Sequence, residues 1–143
     1  ARTGRIEDAI DALNRLEMIE GKISQLSNEK FSLYMQMGDS VSAFAELQSL
    51  CDEYPAELSY RIDMGYYYQQ LGDFDKAMEI YEEVRKVDSA NVSLQMAMLD
   101  YYLMQGMDSL YDATRDSILY SPETETGKRV VLIQQMIQRM SNC

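Results

Sequence analysis

Apolar residues recur along this chain at intervals of three and four, separated by short polar stretches. Phe74, Ala77, Met78, Tyr81, Val84 and Val87 step in this way, and so do Ile6, Ala9, Ile10, Leu13 and Leu16. That spacing is the period of a helix with one buried face. It predicts helices at 5–19, 22–37, 40–53, 56–71, 74–87, 91–105, 108–120 and 125–141. Only two prolines and seven glycines interrupt the pattern.

The glycines have a period of their own. Gly4, Gly38, Gly72 and Gly106 are evenly spaced, and Tyr34, Tyr68 and Tyr102 share the same interval. Ala9, Ala43 and Ala77 form a third series, and Leu13, Leu47 and Tyr81 a fourth. Independent series at one period mark an internal repeat. A glycine at each predicted bend suits a helix that ends in the left-handed region, where a Cβ would clash. Asp39, Asp73 and Asp108 stand where they can cap the next helix and favour its dipole. The small alanines mark close helix crossings.

The pattern resembles the tetratricopeptide repeat, a helix–turn–helix family with a period of about 34 residues. Residues 58–91 carry it best: Met64-Gly65, Tyr68, Gly72, Ala77 and Tyr81 fall at family positions, while Arg61 replaces an aromatic and Ser89 a proline. Repeat 24–57 keeps Tyr34, Gly38, Ala43, Leu47 and Pro55 but has Lys30-Phe31 for Leu-Gly. Repeat 92–125 keeps Tyr102 and Gly106, then drifts, with Tyr111 at the alanine position, Arg115 at the aromatic one and Pro122 one residue early. Residues 4–23 read as the second half of a truncated repeat. The resemblance implies an all-α, right-handed superhelix of antiparallel helix pairs forming a single domain over 1–143. It implies a protein–protein interaction scaffold rather than an enzyme.

Gly4 would occupy an inter-helix turn whose first helix lies upstream, and Ala1-Arg2-Thr3-Gly4 shows neither an initiator Met nor an apolar signal core. The sequence is therefore expected to be a segment of a longer array, with part of the apolar stripe of 5–19 uncovered and open to self-association. At the other end, Val130, Ile133, Met136, Ile137 and Met140 line one side of the helix in 126–143, widened by Val131 and Leu132. It reads as a capping helix or as the first helix of a further repeat.

Charge and composition narrow the function. A net charge of −11 with no basic cluster opposes nucleic acid and anionic membrane surfaces, and no apolar run approaches the ~18 residues of a membrane span. The compartment stays open. There is no histidine, so Ser-His-Asp and Cys-His constellations and the commonest metal ligand are missing. Glu7-Asp8, Asp52-Glu53 and Glu82-Glu83 are adjacent on helices and diverge by ~100°. Asp73-x-Asp75 lacks the rest of a calcium loop, and the glycines never cluster into a phosphate cradle. No metal and no cofactor is expected. Cys51 reads as a small buried hydrophobe and Cys143 is the final residue, so no disulfide framework is expected.

In the family the first helix of each pair lines a concave groove. Carried over, that implies contacts at Asn28, Ser32 and Met35, then Ile62, Tyr66 and Gln69, then Met96, Asp100 and Leu103. Some members hold a terminal carboxylate there with Lys, Arg and Asn. The matching positions here also include Gln36, Gln70 and Met104, and none carries a cation. A carboxylate clamp is therefore not expected. The groove is neutral and partly apolar, suited to a peptide or protein segment, unless further repeats or the chain's own last helix fill it. A purely architectural spacer is the alternative. Of the three adjacent tyrosines, Tyr68 belongs to the periodic core series and Tyr67 is expected to pack on the neighbouring repeat.

Overall fold

The computed structural model describes residues 2–141, with side chains described over 4–140. Eight helices follow one another: α1 (Arg2–Glu20), α2 (Ser24–Gln36), α3 (Ser40–Glu53), α4 (Leu58–Gln70), α5 (Phe74–Val87), α6 (Val92–Met104), α7 (Asp108–Leu119) and α8 (Thr126–Ser141). All eight predicted helices are present, with ends that shift only slightly. Among the described residues there is no strand. The chain divides into two compact units, Ala1–Tyr67 and Tyr68–Cys143, with the boundary inside α4.

Gly38, Gly72 and Gly106 have φ of +79°, +86° and +69°. A backbone bond closes the bend around each. The Asp39, Asp73 and Met107 amides donate to the carbonyls of Tyr34, Tyr68 and Tyr102 at 2.9, 3.0 and 2.9 Å. This is the six-residue closure of a Schellman motif. It accounts for two of the periodic series at once, because the tyrosine and the glycine belong to one hydrogen-bonded bend. Space is not the constraint at Gly72, where an added Cβ would meet nothing within 4 Å; the backbone angle is. Gly72→Ala is expected to cost about 1–2 kcal/mol through left-handed strain alone, measured as a lowered urea midpoint. An unchanged midpoint would show that the bend does not hold that angle in solution.

Gly4 departs from its series. It lies inside α1 without positive φ, because the described chain does not reverse there and only a reversal demands that angle. Gly21, outside the period, ends α1 instead, at φ +85° with its amide on the Glu17 carbonyl at 2.7 Å.

Capping follows the acidic residues in two of three places. Asp39 accepts from the Ser42 amide at 3.0 Å and Asp73 from the Lys76 amide at 3.2 Å. The bonds from Ser42 hold the Asp39 carboxyl below its usual range. Asp108 is not a cap: Met107 takes the N-cap position, and Asp108 sits in the first turn of α7, where it still complements the dipole. Asn91 caps α6 through the Leu94 amide at 3.0 Å.

In the first unit α2 packs on both α1 and α3. Phe31 anchors it, meeting Phe44 edge-on at 5.4 Å and Tyr67 at 4.7 Å. The second of these contacts is the one expected of Tyr67 with a neighbouring repeat. Ala43 and Leu47 are buried, as is Cys51, whose thiol burial pushes up from its ordinary pKa. Cys143 lies outside the described residues. Of the apolar face of α1 only Ile10 is fully buried, and Leu16, Met18 and Ile19 are exposed.

Lys30 explains the departure from Leu-Gly. Methionine occupies the same position in each of the next two repeats, at Met64 and Met98, and all three side chains are buried. Lysine survives there because anions surround it. Its Nζ lies 2.8 Å from Glu17 and 3.1 Å from Glu46, and it donates to Asn14 Oδ1 at 3.1 Å. Lys22 pairs with Glu46 too, and Ser27 Oγ donates to it at 3.0 Å. Burial alone would lower the Lys30 pKa, but the bonds and charges of Glu17 and Glu46 outweigh it and raise the pKa above 10.5. Burial would raise that of Glu46, but Lys22 and Lys30 outweigh it and hold Glu46 below 4.5.

The second unit packs α5 on α6, α6 on α7 and α7 on α8. Ala77, Tyr81 and Val84 from α5 and Leu94 from α6 are wholly buried. Tyr111, at the alanine position of its repeat, is buried as well. Arg115, at the aromatic position, pairs with Asp112 and Asp116 at 3.1 and 3.2 Å. The drift in this repeat is therefore an exchange of a small contact for a ring and of a ring for a surface ion pair. On α8 the expected stripe is not the buried one. Leu132 is the anchor, while Val130, Val131, Ile133, Ile137 and Met140 stay exposed.

Candidate functional site

The residues expected to line a groove divide between the two units. In the first, Asn28 and Ser32 are exposed on α2 and Met35 is half-buried. On α4, Tyr66 is 40% exposed but Ile62 only 5%. Ile62 is thus core rather than contact, since burying its side chain is worth about 1.5–3 kcal/mol.

Gln69 is a second correction. It is fully buried, and its amide is spent within the unit. Tyr81 donates its hydroxyl to Gln69 Oε1 at 2.9 Å, and Gln69 Nε2 donates to Asp100 Oδ2 at 2.7 Å. A wholly buried amide needs such partners at both ends. Gln69 therefore links the end of α4 to α5 and α6 and is not free to meet a ligand. The bond also fixes the Asp100 carboxylate on its turn of α6.

The remaining three residues come together. Met96, Asp100 and Leu103, on successive turns of α6, line a cavity of about 300 Å³ whose other walls are α7 and α8. Leu99 and Tyr111 complete its apolar floor, and Gln135, Gln138 and Arg139 of α8 face it. Leu103 is 44% exposed, so the cavity opens to solvent. The Arg139 guanidinium lies over the Tyr111 ring, 4.3 Å from its centroid, a cation–π contact that fixes the side chain against the wall. Among the described residues no carboxylate pairs with Arg139. The chain's own last helix therefore shares the α6 surface without filling it.

Sequence reasoning missed Arg139, Gln135 and Gln138 because it drew the groove from the first helix of each pair and considered only the apolar residues of α8. The spacing of Gln135, Gln138 and Arg139 on one helical face was the available signal.

Among the described residues, no group of three histidine, cysteine or acidic side chains could hold a metal ion, and no helix is long and apolar enough to cross a membrane. Among curated proteins none matches the sequence. The family model of the tetratricopeptide repeat matches residues 58–91, the stretch with the fullest set of family positions. With eight helices packed in adjacent pairs among the described residues and a glycine bend recurring once in each repeat, the match fits a tetratricopeptide-repeat protein.

Proposed function

We propose that this protein is an interaction scaffold and that a partner polypeptide docks at the α6–α8 cavity. A general scaffold role follows from the repeat, a family of typically non-enzymatic modules. The observation that carries the finer reading is the open cavity itself, with Met96, Asp100 and Leu103 on one wall and polar side chains on the other. Preformed apolar concavities with a few placed polar groups are where ligands bind.

A photocrosslinking residue at position 103 is expected to capture the partner, and one at position 87, where Val87 is exposed, is not. Equal capture from both positions would remove the cavity from the docking reading.

A second reading, self-association through α1, is favoured by the exposure of Leu16, Met18 and Ile19. It requires a dimer in light scattering that Ile19→Glu dissociates; a monomer at all concentrations rules it out.

A further inference from the structure

The buried charge network of the first unit has an open counterpart two repeats later. Glu17, Ser27, Lys30 and Glu46 meet where α1, α2 and α3 pack together. One repeat on, Met64 and Ile80 hold the places of Lys30 and Glu46, and both are buried. Two repeats on, the places of all four residues are held by Arg85, Gln95, Met98 and Thr114. These line a cavity of about 270 Å³ between α5, α6 and α7. Threonine is shorter than glutamate, so the room that the Glu46 carboxylate occupies in the first unit is left open beside Thr114. The charge is reversed as well, since Arg85 stands where Glu17 does.

Arg85 is the one charged residue among the described lining residues. Its Nη2 meets Glu82 at 3.2 Å, with both side chains partly exposed. Such a pair holds weakly, and the guanidinium keeps other N–H donors to spend. Thr114 and Ser117 bring hydroxyls from α7. Burial pushes the Tyr102 phenol above its ordinary pKa although Arg85 opposes it, so that hydroxyl stays protonated and can donate. Leu94 and Met98, both buried, form an apolar floor.

We propose that this cavity binds a small organic acid, with its carboxylate against Arg85 and the α7 hydroxyls and its short apolar body on Leu94 and Met98. An external carboxylate takes the place that Glu46 fills from within in the first unit. The walls are α5 and α7, the second helices of their pairs, and no lining residue is shared with the α6–α8 cavity. The site is therefore independent of polypeptide docking there. Its volume lies just below the ~300–1,000 Å³ range of small-ligand sites, which suits a short free acid rather than a chain terminus with its neighbours.

The probe is isovalerate, titrated into protein carrying methyl-labelled methionine at about 0.15 M salt, where the net negative charge is screened beyond ~8 Å. The Met98 signal is identified by its loss in Met98→Leu. Saturable movement of that signal is expected, with the neutral isostere isovaleramide at least about tenfold weaker. Arg85→Gln should weaken isovalerate by a similar factor with helical circular dichroism unchanged. Glu82→Gln should tighten it, because a competing carboxylate is gone; a merely apolar cavity would be indifferent to that change. Thr114→Glu should abolish the response by supplying the carboxylate internally. Equal binding of isovaleramide, or an undiminished isovalerate response in Arg85→Gln, overturns recognition of the carboxylate. Binding of N-acetyl-valine as tight as that of isovalerate overturns the assignment to a free acid. If isovalerate leaves Met98 unmoved, the proposal fails.

Discussion

Glu46→Ala is expected to lower the stability of the first unit by about 3 kcal/mol, the scale of breaking a buried charge pair from one side. Glu46 accepts from Ser27 and neutralises both Lys22 and Lys30. Removing it leaves Lys30, only 3% exposed, with Glu17 as its one remaining anion among the described residues. The converse experiment separates charge burial from packing. At the equivalent positions of the following repeat, the chain has Met64 for Lys30 and Ile80 for Glu46, and both are buried. Lys30→Met with Glu46→Ile should therefore recover most of the loss, because apolar replacement of a whole buried pair is often neutral or better. A double variant as unstable as Glu46→Ala would show that the network contributes more than the avoidance of an unpaired charge.

The same network sets a pH signature. The Glu46 pKa is depressed in the folded state, so its contribution is complete above the ordinary glutamate value of 4.5 and is lost as pH falls through the lowered one. The Lys30 pKa is raised. Its contribution is therefore complete below 10.5 and is lost only as pH rises beyond the raised value. The urea midpoints of the wild type and of Glu46→Ala should converge as pH is lowered below 4.5. A constant gap would mean that the carboxylate's charge is not the source of the difference.

Gln69→Leu is the second large effect, expected at about 2–4 kcal/mol. The variant fills the space but leaves the buried Tyr81 hydroxyl without this acceptor and Asp100 without its donor, each at ~1–3 kcal/mol. Tyr81→Phe in that background should restore part of the loss, since it removes the hydroxyl that has lost its Gln69 acceptor. Denaturant midpoints of the single and double variants measure the coupling, and strictly additive losses would contradict it.

These two networks mark the boundary of what was legible in the sequence. Helices and bends could be read because each is specified locally: a three-and-four spacing, or a glycine where φ must be positive. Gly4 shows the limit of periodicity, since residue type recurs there without the reversal that gives it meaning. Lys30 was visible only as a departure, because its partners come from α1 and α3 and share no sequence spacing. Ile62 and Gln69 were placed by family position, which fixes a helical face but not whether a neighbour covers it. Met96, Asp100 and Leu103 come from the same family positions and do share one surface, because consecutive turns of α6 suffice to align them. Arg139 was missed for the opposite reason, since it reaches that surface from another helix.

The bends at Gly38, Gly72 and Gly106 carry a further consequence. Each closes through its own main chain, so a helix pair brings its stopping rule with it and asks little of the side chains beyond. Such a unit can be copied in tandem while its buried positions diverge, from methionine to lysine or from alanine to tyrosine. The corner stays the same, and the interior is left free to vary.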